Sequence, residues 1–201
     1  MGLRIMVCLG TDHHRFDRLV DWLDGWMESH PEGHQLTLQH GHSRPSPYAD
    51  NHVIISREDV VAQMRQAHVV ITQAGPGSIF DAHETGHRPV VVPRRRQWHE
   101  VVDDHQVAFA DLMESRGDCV VARDPEQLGD LLDQVVITPD LLRRPYRAPA
   151  TAQCADEVHR RMEIAVAQGA GWLALRRLAH SLTGGRNDPA QLPTTVSSSA
   201  Q

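Results

Sequence analysis

The chain has 201 residues, enough for one well-packed α/β domain with a short appendage but a squeeze for two full domains. Its hydrophobic share of 40% and charged share of 23% are ordinary for a globular protein and exclude wholesale disorder or a fibrous class. A formal net charge of -6, from 20 basic and 26 acidic residues, argues against nucleic acid as a partner, which needs a basic excess or a large basic face.

Residues 3–9 (LRIMVCL) are a continuous apolar run with β-branched members and predict a strand that enters Gly10-Thr11-Asp12. Apolar residues then recur at helical spacing, Phe16, Leu19, Val20, Leu23 and Trp26, as on the buried face of an amphipathic helix. Residues 35–39 (QLTLQ) alternate like a short strand, 41–50 with Pro45 and Pro47 read as loop, and 53–55 as another short strand. Ser56 with Asp59 three residues on is an acidic variant of the capping box and opens a helix to about Gln66. Residues 68–72 (HVVIT) are buried-strand material running into Gln73-Ala74-Gly75-Pro76-Gly77-Ser78, after which 79–85 can be helical until Gly86. Residues 89–93 (PVVVP) predict a strand, 101–115 a helix, 119–122 a strand, and Asp124-Pro125 the cap and first position of a helix to about Val135. Such alternation predicts a doubly wound parallel sheet, Rossmann-like, over residues 1–138. Residues 139–185 offer helices without a strand, a helical C-terminal extension, and 186–201 read as a disordered tail.

Cys8 and Cys119 fall inside apolar runs and read as small buried hydrophobes; with Cys154 far away, no disulfide framework is implied. No stretch approaches the ~18 consecutive apolar residues of a membrane-spanning helix, and the first apolar run is too short for a signal sequence. The expected location is cytoplasmic, with attachment to the inner face of a membrane coming through a partner.

In an open parallel sheet, ligands bind beyond the carboxyl ends of the strands, so the loops after the first, fourth and fifth strands carry the candidate chemistry. Gly75-Pro76-Gly77-Ser78 lies between a strand and a helix, where glycines let backbone N–H groups approach an anion and the helix dipole favours negative charge. It is neither the dinucleotide fingerprint nor a Walker loop, and by itself it is equally a tight strand-to-helix turn. His83-Glu84-Thr85-Gly86-His87 matches the zinc motif H-E-x-x-H, but Gly86 before Arg88-Pro89 ends the helix, so the two imidazoles lose their shared face. The pairs His13-His14 and His40-x-His42 read first as solvated loop residues, and the run Arg94-Arg95-Arg96 as a solvated loop or a neutraliser of phosphate.

Taken in order, Thr72 to Ile79, then Asp81, Gly86, Pro89 to Arg94, and His99 to Gln106 resemble the C-terminal domain of glycosyltransferase family 28. Within it they are most similar to short exopolysaccharide-type subunits that pair with a separate membrane-associated acceptor subunit. Leu9-Gly10-Thr11 and Phe16-Asp17-Arg18-Leu19-Val20 are similar to the same subunits, and the likeness covers about residues 3–136. The resemblance implies the C-terminal half of a GT-B fold, with donor phosphates against Gly75, Gly77 and Ser78, Pro76 in the same donor-binding turn, and the ribose near Asp81. His105 and Gln106 would lie beside the donor sugar or its phosphates, and Gly10 and Thr11 in the cleft between donor and acceptor halves. Arg94, beside that cradle, becomes a candidate for neutralising phosphate. His13 or His14, after the first strand, are candidate catalytic bases, and His105 a third catalytic candidate. The chain departs from many relatives at Gln73-Ala74, where they carry a histidine, and at Asp81, where they carry glutamate.

The expected activity is hexosyl or N-acetylhexosaminyl transfer from a UDP-sugar to a lipid-linked saccharide acceptor in exopolysaccharide or related glycan synthesis, as a donor-binding subunit active only with its partner. No metal or cofactor is expected beyond the nucleotide-sugar donor. The alternative is a non-catalytic nucleotide-sugar-binding subunit that scaffolds or regulates a partner.

Overall fold

A computed structural model describes residues 2–31 and 33–144, all within the first of the two units into which the chain divides, Met1–Ala148. The expected tail and nearly all of the expected helical extension lie outside the described residues.

The elements in chain order are β1 (Arg4–Cys8), α1 (Asp17–Ser29), β2 (Gln35–Gln39), β3 (Ala49–His52), α2 (Arg57–Gln66), β4 (Val69–Thr72) and α3 (Pro76–Glu84). They continue with β5 (Val90–Val91), a 3-10 turn at Arg96–Trp98, α4 (His105–Ser115), β6 (Val120–Val121) and α5 (Pro125–Ile137). The six strands form one sheet in the order β3-β2-β1-β4-β5-β6, and every neighbouring pair is parallel. This is the doubly wound, Rossmann-like architecture that the alternation of apolar strands and amphipathic helices predicts.

The period of two along β1 explains why both faces are covered. Ile5 and Val7 join Leu19 and Leu23 of α1 and Leu128 and Leu132 of α5 in the larger core. Met6 and Cys8 face the other way, onto Met64 of α2 and Ala82 of α3. A third cluster, Ala74, Ile79, Val91, Ala110, Met113, Cys119 and Val121, seats α4 against the β5 and β6 side. Past α5, residues up to 144 remain on this domain, since Leu142 is buried in the larger core and its carbonyl accepts the Arg88 N–H at 2.8 Å.

Three elements differ from the sequence reading by three residues or more. The third strand is Ala49–His52, not the apolar run at 53–55: Val53 and Ile54 are exposed, while Ala49 and the polar Asp50, Asn51 and His52 pair with β2. An edge strand needs no second apolar face, and the side chain of Asn51 holds this one in place by bonding to the Ser46 N–H and carbonyl at 2.9 and 2.7 Å. Helix α3 begins at Pro76, three residues early, because proline suits the first helical position. Helix α4 begins at His105, four residues late; the Asp103 carboxylate accepts the His105 N–H at 2.9 Å, and residues 101–104 are bends before it.

Candidate functional site

The strand order reverses between β1 and β4, so the chain leaves these two neighbours toward opposite faces and opens a crevice at their carboxyl ends. A cleft of about 320 Å³ lies there, walled by Gly10 and Thr11 after β1, Gln73 after β4, Gly75 to Ser78 and Asp81 of α3, with Cys8 and Gln39 at its base. Ile54, Ile55 and Val60 form an apolar side.

Two glycines are required by close approach. Gly10 has φ +80°, and a Cβ there would lie 2.5 Å from Nε2 of Gln73; a Cβ on Gly75 would lie 2.7 Å from the same atom. Gln73 therefore lies between the two loops, its Oε1 2.9 Å from the Thr72 hydroxyl. Gln39, buried, ties the rim together by donating from Nε2 to the carbonyls of Gly10 and Val53 at 3.0 and 3.2 Å.

Helix α3 has no side-chain cap at Gly75. Its first helical bond is from Ile79 N–H to the Gly75 carbonyl at 3.2 Å, and Pro76 has no N–H, so Gly77 and Ser78 present the first-turn amides. A Cβ on Gly77 would meet nothing within 4 Å, which leaves open space over these donors. One turn further on, Asp81 is held by Arg57 of α2, whose Nε and Nη2 reach Oδ1 at 3.0 and 2.6 Å; Nη2 also reaches Glu84 at 3.1 Å. Burial pushes the Cys8 thiol up to about 12, with the Asp81 charge acting in the same direction, which favours the protonated thiol at neutral pH.

The cleft thus brings together Gly10, Thr11, Gly75, Pro76, Gly77, Ser78 and Asp81, seven of the residues singled out by sequence. His13, His14, Arg94, His105 and Gln106 do not line it. In the loop after β1, the Asp12 carboxylate accepts the His14 N–H at 2.8 Å and lies 2.6 Å from His14 Nδ1 and 3.6 Å from His13 Nδ1. Burial acts to raise the Asp12 pKa, but the His14 bonds and the charge of Arg94 prevail and hold it below the ordinary value. His105 is exposed at the start of α4, with Nδ1 on the Asp103 carboxylate.

Arg94, the expected phosphate neutraliser, lies away from the cleft lining. Its guanidinium is buried at 1% exposure and donates to the carbonyls of Leu9, His14 and Glu100 at 2.8, 2.7 and 2.9 Å, over the Phe16 ring. It braces the loops after β1 and β5 together, and Gln106 joins the brace, its Oε1 accepting the Arg94 N–H at 3.2 Å. Burial lowers the Arg94 pKa, opposed by the charges of Asp12 and Glu100. Beside it, Arg18 forms a two-pronged pair with buried Glu100 at 2.8 and 2.9 Å and stacks between Trp22 and Trp98.

The H-E-x-x-H match also dissolves in three dimensions. Helix α3 stops at Glu84; His83 Nε2 lies 2.7 Å from the Asp118 carbonyl, whereas His87 is buried with Nε2 3.1 Å from the Ala67 carbonyl. Sequence reasoning passed over Arg57, Gln39 and Ile54. The alternation of residues 35–39 identified a strand, but nothing in it indicated that its last side chain would bind the β1 loop.

The chain is 33% identical over 72 residues to the UDP-N-acetylglucosamine transferase subunit ALG13 of Yarrowia lipolytica, a match covering 36% of this chain and about a third, 35%, of that relative. In fold it is similar to MurG of Acinetobacter baumannii, with a TM-score of 0.50 at 20% identity, covering 71% of this chain and 43% of that one. It is likewise similar to the glycosyltransferase of kitacinnamycin, with a TM-score of 0.51 at 20% identity, covering 69% and 36%. The model of the glycosyltransferase family 28 C-terminal domain matches residues 5–159, and the chain belongs to that family.

Proposed function

We propose that this chain is the donor-binding subunit of a two-part glycosyltransferase, moving a hexosyl or N-acetylhexosaminyl group from a UDP-sugar to a lipid-linked saccharide acceptor. The observation that carries the reading is the cleft at the β1/β4 reversal, where the amides of Gly77 and Ser78 at an uncapped helix start face a space fit for a diphosphate. As the sugar departs, negative charge gathers on the nucleoside diphosphate, and fixed amides stabilise it without reorganising. The curated relative is a UDP-N-acetylglucosamine transferase subunit, which favours a UDP-sugar and a second chain.

One doubly wound sheet supplies one wall of such an active site. The acceptor hydroxyl must come within about 3–3.5 Å of the anomeric carbon beside a base, and this positioning belongs to a partner that also carries the membrane attachment. No helix among the described residues is long and apolar enough to cross a membrane. The base is His13 or His14 from this side, or a group of the partner; exopolysaccharide or related glycan synthesis at the cytoplasmic face is the setting.

Calorimetry on the full chain is expected to show binding of UDP in preference to inorganic phosphate, and loss of it in Gly75→Arg. Co-expressed with the acceptor subunit, wild type transfers radiolabelled sugar and Gly75→Arg does not, while the chain alone turns over little or nothing. Equal transfer by both would leave only a scaffold role. Turnover by the isolated chain at an ordinary rate of about 1–10³ s⁻¹ would remove the need for a partner.

A further inference from the structure

Resting on the donor-binding reading, we infer that Arg57 is the positioning residue of a ribose subsite, fixing the Asp81 carboxylate so that its second oxygen accepts a hydroxyl of the nucleoside.

Asp81 lines the same cleft as the α3 amides and stands four residues beyond Gly77, roughly 6 Å along the helix axis. A carboxylate accepts hydrogen bonds and repels phosphate, so at that depth it suits the uncharged, hydroxyl-bearing part of a nucleotide whose phosphates sit on the amides. Alone, it would be a poor reader, because Glu84 lies one turn away on the same face and like charges at this spacing repel. Arg57 resolves this by reaching both carboxylates at once, 2.6 Å from Asp81 and 3.1 Å from Glu84.

Geometry makes the pairing directional. Both bonds to Asp81 end on Oδ1, so the hydrogen bonds within the described residues leave Oδ2 for a ligand. The origin of Arg57 is itself fixed: it is the first residue of α2, and the cap Ser56 accepts the Asp59 N–H at 3.1 Å. Asp81 is mostly covered, with 16% of its side chain exposed, whereas the Arg57 side chain is 63% exposed and stands on the solvent side of the pair. Among the described residues no arginine lines the cleft, and Arg57 is bonded to its wall through Asp81.

The test is calorimetric titration of the full chain with UDP and with 2′,3′-dideoxy-UDP. Wild type is expected to prefer UDP by about tenfold, the worth of one hydrogen bond to a charged acceptor. Arg57→Ala should lose most of that preference by weakening UDP alone; Arg57→Lys should restore part of it, and Asp81→Asn should abolish it. The unfolding midpoint of Arg57→Ala should stay near wild type, because exposed ion pairs contribute little to stability. Equal weakening of both ligands in Arg57→Ala would make Arg57 a phosphate ligand and overturn the assignment. An unchanged preference would also overturn it while leaving donor binding intact. If wild type bound neither nucleotide, the donor-binding reading would fall, and this inference with it.

Discussion

At the scale of single residues, burial decides which charged groups can meet a ligand. Arg94 was the sequence's candidate for a phosphate, yet its guanidinium is enclosed by three carbonyls and the Phe16 ring, with Nε unpartnered among the described residues. Arg57, which no motif marked, is exposed and bonded to the cleft wall. His105 falls between these cases: it is exposed, its ring is oriented by Asp103, and it opens α4 immediately before the Gln106 that belongs to the Arg94 brace. If His105 meets the donor when the partner closes the site, His105→Ala should lower sugar transfer by at least about tenfold, roughly 1.4 kcal/mol of transition-state stabilisation. The same variant should unfold at nearly the wild-type urea concentration. A matching loss of stability would instead make it a structural histidine.

At the scale of elements, caps and sheet pairing set boundaries that apolar periodicity left loose. Ser56 and Asp124 start α2 and α5 where the residue types indicate, each accepting the N–H three residues on, at 3.1 and 2.8 Å. Asp124 also accepts from the Gln127 side chain at 2.6 Å, and α5 delivers Leu128, Leu132 and Val135 to the larger core. Asp124→Ala should therefore cost about 1 kcal/mol of stability, read as a lower urea midpoint. UDP binding should be unaffected, since α5 supplies no wall of the cleft. A midpoint equal to wild type would show the cap to be idle. The edge strand β3 gave no comparable signal, because its polar residues follow pairing with β2 rather than burial.

For the whole molecule, the junction around β4 to β5 links pH to stability. His87 is buried, with its ring between the Thr85 hydroxyl and the Ala67 carbonyl. Burial pushes its pKa from 6.5 down to about 4, the Ala67 bond opposing this and the charge of Arg143 adding to it. Between those values the unfolded chain binds the proton and the folded chain does not. Its contribution is thus intact above pH 6.5 and fades as the pH falls toward 4, by on the order of 2 kcal/mol after allowance for solvent screening. Chemical denaturation across this window should show stability falling with acid, and His87→Asn, less stable at neutral pH, should show a flatter decline. Parallel curves for the two proteins would exclude His87 as the source.

The doubly wound class, the two turns at Gly10 and Gly75 to Ser78, and the failure of the H-E-x-x-H match are legible from residue order alone, because local physics governs each. Apolar runs must be buried, glycine and proline restrict the backbone, and a helix ends where glycine takes φ +78° at Gly86. Which side chains share a space depends instead on the folded arrangement. The strand order brings residues 10, 39, 73 and 81 to one crevice, withdraws Arg94 into the interior and stations Arg57 at the wall. These are contacts between residues 24 to 85 positions apart, and they depend on strand pairing and helix packing that no local pattern encodes.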